Sequence, residues 1–217
     1  MMKTEQENFW SGDFGKNYTD RNSRQNDEFN KIYQTWYGIA RTKMNQDFLG
    51  CLPRDFRILE VGCNTGMQLG CLKSMGFTSL YGIELQDYAV QKAKEYTEGI
   101  NIIQGSAFDI PFKDNFFDLV FTSGVLIHIE PNNLSKVFAE MDRCSNKYIW
   151  GFEYYAENTT SINYRGNEGF LWKANYGKLM RDQFKNLSLV KEELYSYITD
   201  AEKGNVDFMY LLEKKNA

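Results

Sequence analysis

Between residues 56 and 153, short apolar runs alternate with segments whose apolar positions recur every three or four residues. That is the pattern of a parallel α/β sheet. Residues 56–61, 79–85, 100–104, 117–122 and 148–153 read as strands, and 65–74, 86–96 and 131–144 as the helices between them. The run at 117–122 is almost wholly apolar, as suits a strand covered on both faces. Leu134, Val137, Phe138 and Met141 mark the inward face of the 131–144 helix. Upstream, Phe29, Ile32, Tyr33, Trp36, Ile39, Ala40 and Met44 fall at helical steps, which predicts one amphipathic helix from residue 27 to about 48. Downstream the alternation stops. Residues 154–175 form a long aromatic insertion punctuated by glycine, followed by a helix at 176–184 and two β-like runs, 187–197 and 205–213, close enough to pair antiparallel.

Length and composition narrow the function. The 217 residues suit one domain with an extension, divided here as a lid segment and helix at 1–49 and an α/β domain at 50–217 carrying the 154–175 insertion. A formal charge of −4 gives no electrostatic footprint for a nucleic-acid backbone. With one histidine and four cysteines in no C-x-x-C spacing, no metal site is expected and the thiols read as reduced. No apolar run reaches the length of a membrane span or signal segment, so a cytoplasmic protein without membrane attachment is expected. Residues 1–26 are polar yet hold Phe9, Trp10, Phe14 and Tyr18, which points to a conditional lid rather than a tail.

The chemistry concentrates after the first strand. Glu60-Val61-Gly62-Cys63-Asn64-Thr65-Gly66 puts a glycine loop at a strand's carboxyl end, where open α/β sheets bind ligands. The dinucleotide spacing fails, because Asn64 and Met67 stand where G-x-G-x-x-G needs glycine. Glu84 closes the second strand, where a carboxylate can accept from both ribose hydroxyls and would repel a phosphate. Together with Gln104-Gly105-Ser106-Ala107-Phe108 and the Asp118 strand, these residues resemble the class I S-adenosylmethionine-dependent methyltransferases and their E-x-G-x-x-x-G loop.

The resemblance implies a Rossmann-like, seven-stranded, mostly parallel sheet with an antiparallel C-terminal strand pair and helices on both faces. It implies S-adenosyl-L-methionine as cofactor, with S-adenosyl-L-homocysteine as product. Gly62, Asn64 and Gly66 would wrap its methionine end, Glu84 would hold its ribose, Ser106 and Ala107 would flank its adenine, and Glu60 and Gly124 also count among the cofactor-binding residues. Many members carry Asp where this chain has Ser106. Tyr18 and Arg21 lie three residues apart in the lid segment and are expected to close over the cofactor.

The opening residues 4–22, the run Gly124-Val125-Leu126-Ile127-His128-Ile129 and residues 164–173 are similar to the pseudaminic acid biosynthesis-associated methylases. That resemblance implies a small-molecule acceptor, a nonulosonic-acid-type or related surface-glycan sugar. A protein or peptide methyltransferase and a non-catalytic S-adenosylmethionine-binding regulator are the alternatives. A sugar acid calls for stacking aromatics and a cation, which the insertion supplies as Tyr154, Tyr155, Tyr164, Trp172 and Arg165. His128, just past the fourth strand, is the expected general base, with Glu153 at the end of the fifth strand in reserve.

Overall fold

The computed structural model describes residues 3–22 and 26–215. The parts of the expected lid at 1–2 and 23–25 lie outside the described residues. Thr4 closes a capping box: its Oγ1 accepts from the Glu7 amide at 3.1 Å, while Glu7 Oε2 accepts from the Thr4 amide at 2.8 Å. This starts α1 (Glu5–Ser11), and α2 (Asp13–Asn22) follows one residue later. The single helix expected at 27–48 is instead two, α3 (Asn26–Tyr37) and α4 (Arg41–Leu49). Gly38 is the cause. It turns left-handed at φ 73° while its amide still donates to Gln34 O, and Asn30 Oδ1 then takes the Thr42 amide in the first turn of α4. The apolar spacing runs through the break because both helices bury Phe29, Tyr33, Met44 and Phe48.

The alternation then appears as read: β1 (Arg57–Val61), α5 (Met67–Ser74), β2 (Ser79–Glu84), α6 (Asp87–Tyr96) and β3 (Asn101–Gln104). All three strands are parallel, with Glu60 paired to Gly82 and Glu84 to Gln104. These elements and α1–α4 make up one compact unit, Met1–Pro111; the second is Phe112–Ala217.

In the second unit, β4 (Phe117–Ser123) runs parallel to β5 (Ser145–Tyr154), joined through α7 (Leu134–Cys144). Phe117, Leu119, Val120 and Phe121 are fully buried, as the apolar run requires. The helix expected from residue 131 begins with a 3-10 turn at Pro131–Asn133. The insertion is partly ordered into the hairpin strands β6 (Thr160–Ser161) and β7 (Trp172–Lys173), then α8 (Tyr176–Gln183). Finally β8 (Leu187–Ser196) and β9 (Val206–Lys214) pair antiparallel, and β9 also pairs antiparallel with β5. Within the strand pair, β9 is therefore the inner strand, and residues 207–212 are all buried. The tyrosine at its centre, Tyr210, lies against Gly151 of β5 and Gly177 of α8. A Cβ on Gly151 would come within 2.3 Å of its ring.

The strand order is β3-β2-β1-β4-β5-β9-β8, a seven-stranded, mostly parallel sheet with one reversed strand between parallel-type neighbours and the edge. Helices follow β1, β2 and β4, as in Rossmann-like folds, while β3 passes to β4 through a loop. All four cysteines are free thiols. Among the described residues, no helix is long and apolar enough to cross a membrane.

Candidate active site

The glycine loop takes its shape from three left-handed residues: Gly62 at φ 75°, Asn64 at 47° and Gly66 at 77°. Asn64 is the exceptional one, since asparagine tolerates this region and a β-branched residue does not. Two bonds at Asn64 hold it there. Its amide donates to Glu84 Oε2 at 2.9 Å, and its side-chain Nδ2 donates to Thr19 Oγ1 of α2 at 3.0 Å. Gly66 is equally constrained, because a Cβ there would lie 2.9 Å from Thr97 Cγ2. Glu60 is buried rather than lining the loop. Desolvation holds its carboxyl well above the usual range, the buried Arg41 guanidinium opposes that shift, and the Leu69 amide of α5 hydrogen-bonds to it.

Glu84 projects from the end of β2. Oε2 accepts from the Asn64 amide and Oε1 from the Gln86 amide, both at 2.9 Å, and the Leu85 amide also hydrogen-bonds to the carboxyl. Burial raises its pKa, with those amides opposing the shift. A carboxylate offers about four lone-pair sites, so acceptor capacity remains beyond these amides. A hydroxyl of a ribose 2′,3′-diol is a donor of the kind that this capacity can accept. An S-adenosyl group thus fits the residues present, with Glu84 for the diol and the glycine loop for close main-chain approach.

Sequence reasoning missed three residues at this site. Gln86 Nε2 donates to Gly12 O at 2.9 Å and to Trp10 O at 3.3 Å, tying down the turn between α1 and α2. Glu7 Oε1 accepts from Ser106 Oγ at 2.6 Å, and Ser106 Oγ accepts from the Phe108 amide. Thr19, at 1% exposure, receives Asn64. The only readable signal was the Thr-x-x-Glu capping box at Thr4–Glu7. Of the expected lid pair, Tyr18 is half-buried with its ring edge-on to Trp10 at 5.2 Å, and Arg21 is exposed. Ala107 is half-buried beside Ser106.

The second unit gathers another set. Gly124, left-handed at φ 67°, starts a turn that carries His128. Glu153, 1% exposed, underpins this turn: Oε1 accepts from the Val125 amide at 3.2 Å and Oε2 from Ile127 at 3.5 Å. Desolvation raises its pKa to about 7, against the hydrogen bonds from Thr122 and the turn amides. His128 is buried, with Nδ1 2.7 Å from Phe170 O and its ring 5.1 Å from that of Tyr164. A carbonyl only accepts, so the proton of the neutral ring sits on Nδ1 and Nε2 is the basic nitrogen. Burial lowers its pKa to about 4, so the ring is neutral near pH 7.

The remaining insertion residues divide. Tyr164 and Asn167 exchange backbone hydrogen bonds around a tight turn, with Arg165 exposed at its tip at φ 52°. Tyr154 is half-buried with Lys173 over its ring, and burial pushes its phenol up to about 12. Tyr155 donates to Glu157, and Trp172 is buried in packing with its carbonyl accepting from Tyr176.

Residues 59–147 match the family described as "Methyltransferase domain". Sterol 24-C-methyltransferase of Pneumocystis carinii is 28% identical over 92 residues, 40% of this chain and 24% of that protein. Across the curated relatives it resembles, the chain spans about a quarter to two fifths of their length. Among solved structures, the PH0226 protein of Pyrococcus horikoshii superposes with a TM-score of 0.66 at 20% identity, covering 91% of this chain and 95% of that one. A SAM-dependent methyltransferase of Methanosarcina mazei gives 0.63 at 17% identity, over 77% of this chain and 96% of that one. The chain therefore has the fold of the class I S-adenosylmethionine-dependent methyltransferases, and its residues 59–147 match a methyltransferase domain.

Proposed function

We propose that this protein is an S-adenosylmethionine-dependent methyltransferase acting on a small molecule, a nonulosonic-acid-type or related surface-glycan sugar, in the cytoplasm. The observation that carries the cofactor half is Glu84, a carboxylate fixed by backbone amides at the end of β2 beside a left-handed glycine loop. When bound, the cofactor supplies an electrophilic methyl group on a sulfonium. The chain's own part is to bind and orient. Gly62, Asn64 and Gly66 give the main chain close approach, Glu84 holds a diol, and an acidic, phosphate-free cradle suits a cationic ligand.

The sugar half rests on the resemblance of residues 4–22, 124–129 and 164–173 to pseudaminic acid biosynthesis-associated methylases. Chemistry in the second unit supports it. Burial leaves His128 neutral and a weaker base than a free imidazole, so its Nε2 is suited to accepting from and orienting an acceptor hydroxyl; Tyr164 stands beside it, and Arg165 offers a guanidinium for a carboxylate.

The test is to incubate purified protein with S-adenosylmethionine and a panel of free and nucleotide-activated nonulosonic acids, following the mass gain of one methyl. Methylation of one of these sugars is expected. Methylation of a peptide panel instead would overturn the acceptor class, and cofactor binding without methylated product or S-adenosylhomocysteine release would favour a regulator.

A further inference from the structure

We propose that Glu7, from the first helix, reads the base of the cofactor by accepting a hydrogen bond from the exocyclic amino group of adenine. This rests on the nucleoside reading of Glu84 and identifies a recognition residue that the strand ends alone do not supply. The argument is one of order along the sheet. β2 lies between β1 and β3, and Glu84 pairs with Gln104 at the ends of β2 and β3. In a nucleoside whose 2′,3′-diol sits on Glu84, the 5′ and 1′ substituents leave the ribose from the two carbons that flank O4′, toward opposite ends of the sugar. The 5′ arm goes toward the glycine loop after β1, so the base goes toward the end of β3.

There the loop offers Gly105, Ser106, Ala107 and Phe108. Ser106 Oγ is already committed, donating to Glu7 and accepting from Phe108. Two carboxylates stand at this strand end: Asp109, exposed where the turn closes back on Ser106, and Glu7, half-buried and 2.6 Å from Ser106 Oγ. Glu7 is fixed from two sides, by Ser106 on Oε1 and by the Thr4 amide on Oε2. Each oxygen has a lone pair beyond those bonds. A fixed carboxylate accepts from an amino group and repels a carbonyl oxygen. It therefore selects adenine over hypoxanthine, where O6 replaces the amine.

The test compares S-adenosylhomocysteine with S-inosylhomocysteine by calorimetry. Wild-type protein should favour the adenine compound by about tenfold or more, the range expected for a hydrogen bond to a charged group. Glu7→Gln keeps the helix cap, because an amide oxygen also serves in a capping box. Its amide can meet either base, so the preference should fall to within about threefold of unity. Glu84→Ala should weaken both compounds and leave their ratio unchanged. Thr4→Ala, which removes the cap while keeping the Glu7 carboxylate, should retain the preference. Wild-type discrimination in folded Glu7→Gln would overturn the assignment while leaving the nucleoside site intact. If wild-type protein bound neither compound, the cofactor reading itself would fail.

Discussion

At the scale of the residue, conformation and protonation are set by neighbours. Glu84 is held by backbone amides and is proposed to accept from the ribose, so Glu84→Ala should weaken S-adenosylhomocysteine binding by about 100-fold. Calorimetry on the folded variant checks this, and wild-type affinity would remove the ribose contact. Glu153 and His128 make a second case. Burial raises the Glu153 pKa from 4.5 to about 7, so the folded protein holds a proton there that the unfolded chain has released. Its contribution to stability is full below pH 4.5 and is lost as pH rises through 7. His128 is lowered from 6.5 to about 4, so the unfolded chain binds the extra proton and stability is gained as pH rises from 4 to 6.5. The two oppose each other, each with an upper limit on the order of 3 kcal/mol. The stability of Glu153→Gln relative to wild type should thus improve as pH rises from 5 to 7, and that of His128→Gln should decline. Urea unfolding at pH 5, 6 and 7 measures both, and parallel curves for all three proteins would refute the protonation states.

At the scale of the element, polar contacts dock α1 and α2. Asn64 to Thr19, Gln86 to Gly12 and Ser106 to Glu7 each join residues far apart in the chain. Tyr88 adds a hydrogen bond to Asp20 at 2.6 Å. Phe9, Trp10, Phe14 and Tyr18 stack on one another within this segment, which explains aromatics in a polar stretch. A segment held this way should open at low cost, which suits a lid. Gly15 is its tightest point, since a Cβ would fall 1.8 Å from Trp10 O and 2.9 Å from Gln86 Nε2. Gly15→Ala should therefore raise hydrogen exchange across residues 4–22 at least tenfold and leave β1–β3 protected. S-adenosylhomocysteine should slow exchange over residues 9–22 in the wild type. If the ligand left exchange there unchanged, the segment would be a fixed part of the fold and not a lid.

At the scale of the whole molecule, the expected behaviour is turnover. His128→Ala should lower kcat by about 100-fold or more if its Nε2 takes the acceptor proton, with cofactor affinity unchanged. Near-normal turnover across pH 6 to 9 would leave orientation alone to account for the rate. Arg165→Ala should raise the acceptor KM at least tenfold while sparing cofactor binding, as the loss of a bidentate partner predicts. An unchanged KM would make Arg165 only a residue of the exposed turn on which it stands.

The sequence by itself determined what is periodic or local. Strand-helix alternation from 57 to 154, the antiparallel final pair, the glycine loop and Glu84 at the strand end were legible because each is written in adjacent residues. The capping box at Thr4–Glu7 was readable on the same grounds, though the helix behind it was passed over. The break at Gly38 escaped because the apolar stripe continues across it, and only the Asn30 to Thr42 bond shows where the second helix starts. Tertiary structure alone decided the rest. Ser106 reaches Glu7 across 99 positions, Asn64 reaches Thr19 across 45, and His128 is fixed as an Nδ1–H tautomer by a carbonyl 42 residues away. Burial also sets the proton on Glu153 and withholds it from His128. Such facts depend on which groups share a dry neighbourhood, and the spacing of residues along a chain does not encode that neighbourhood.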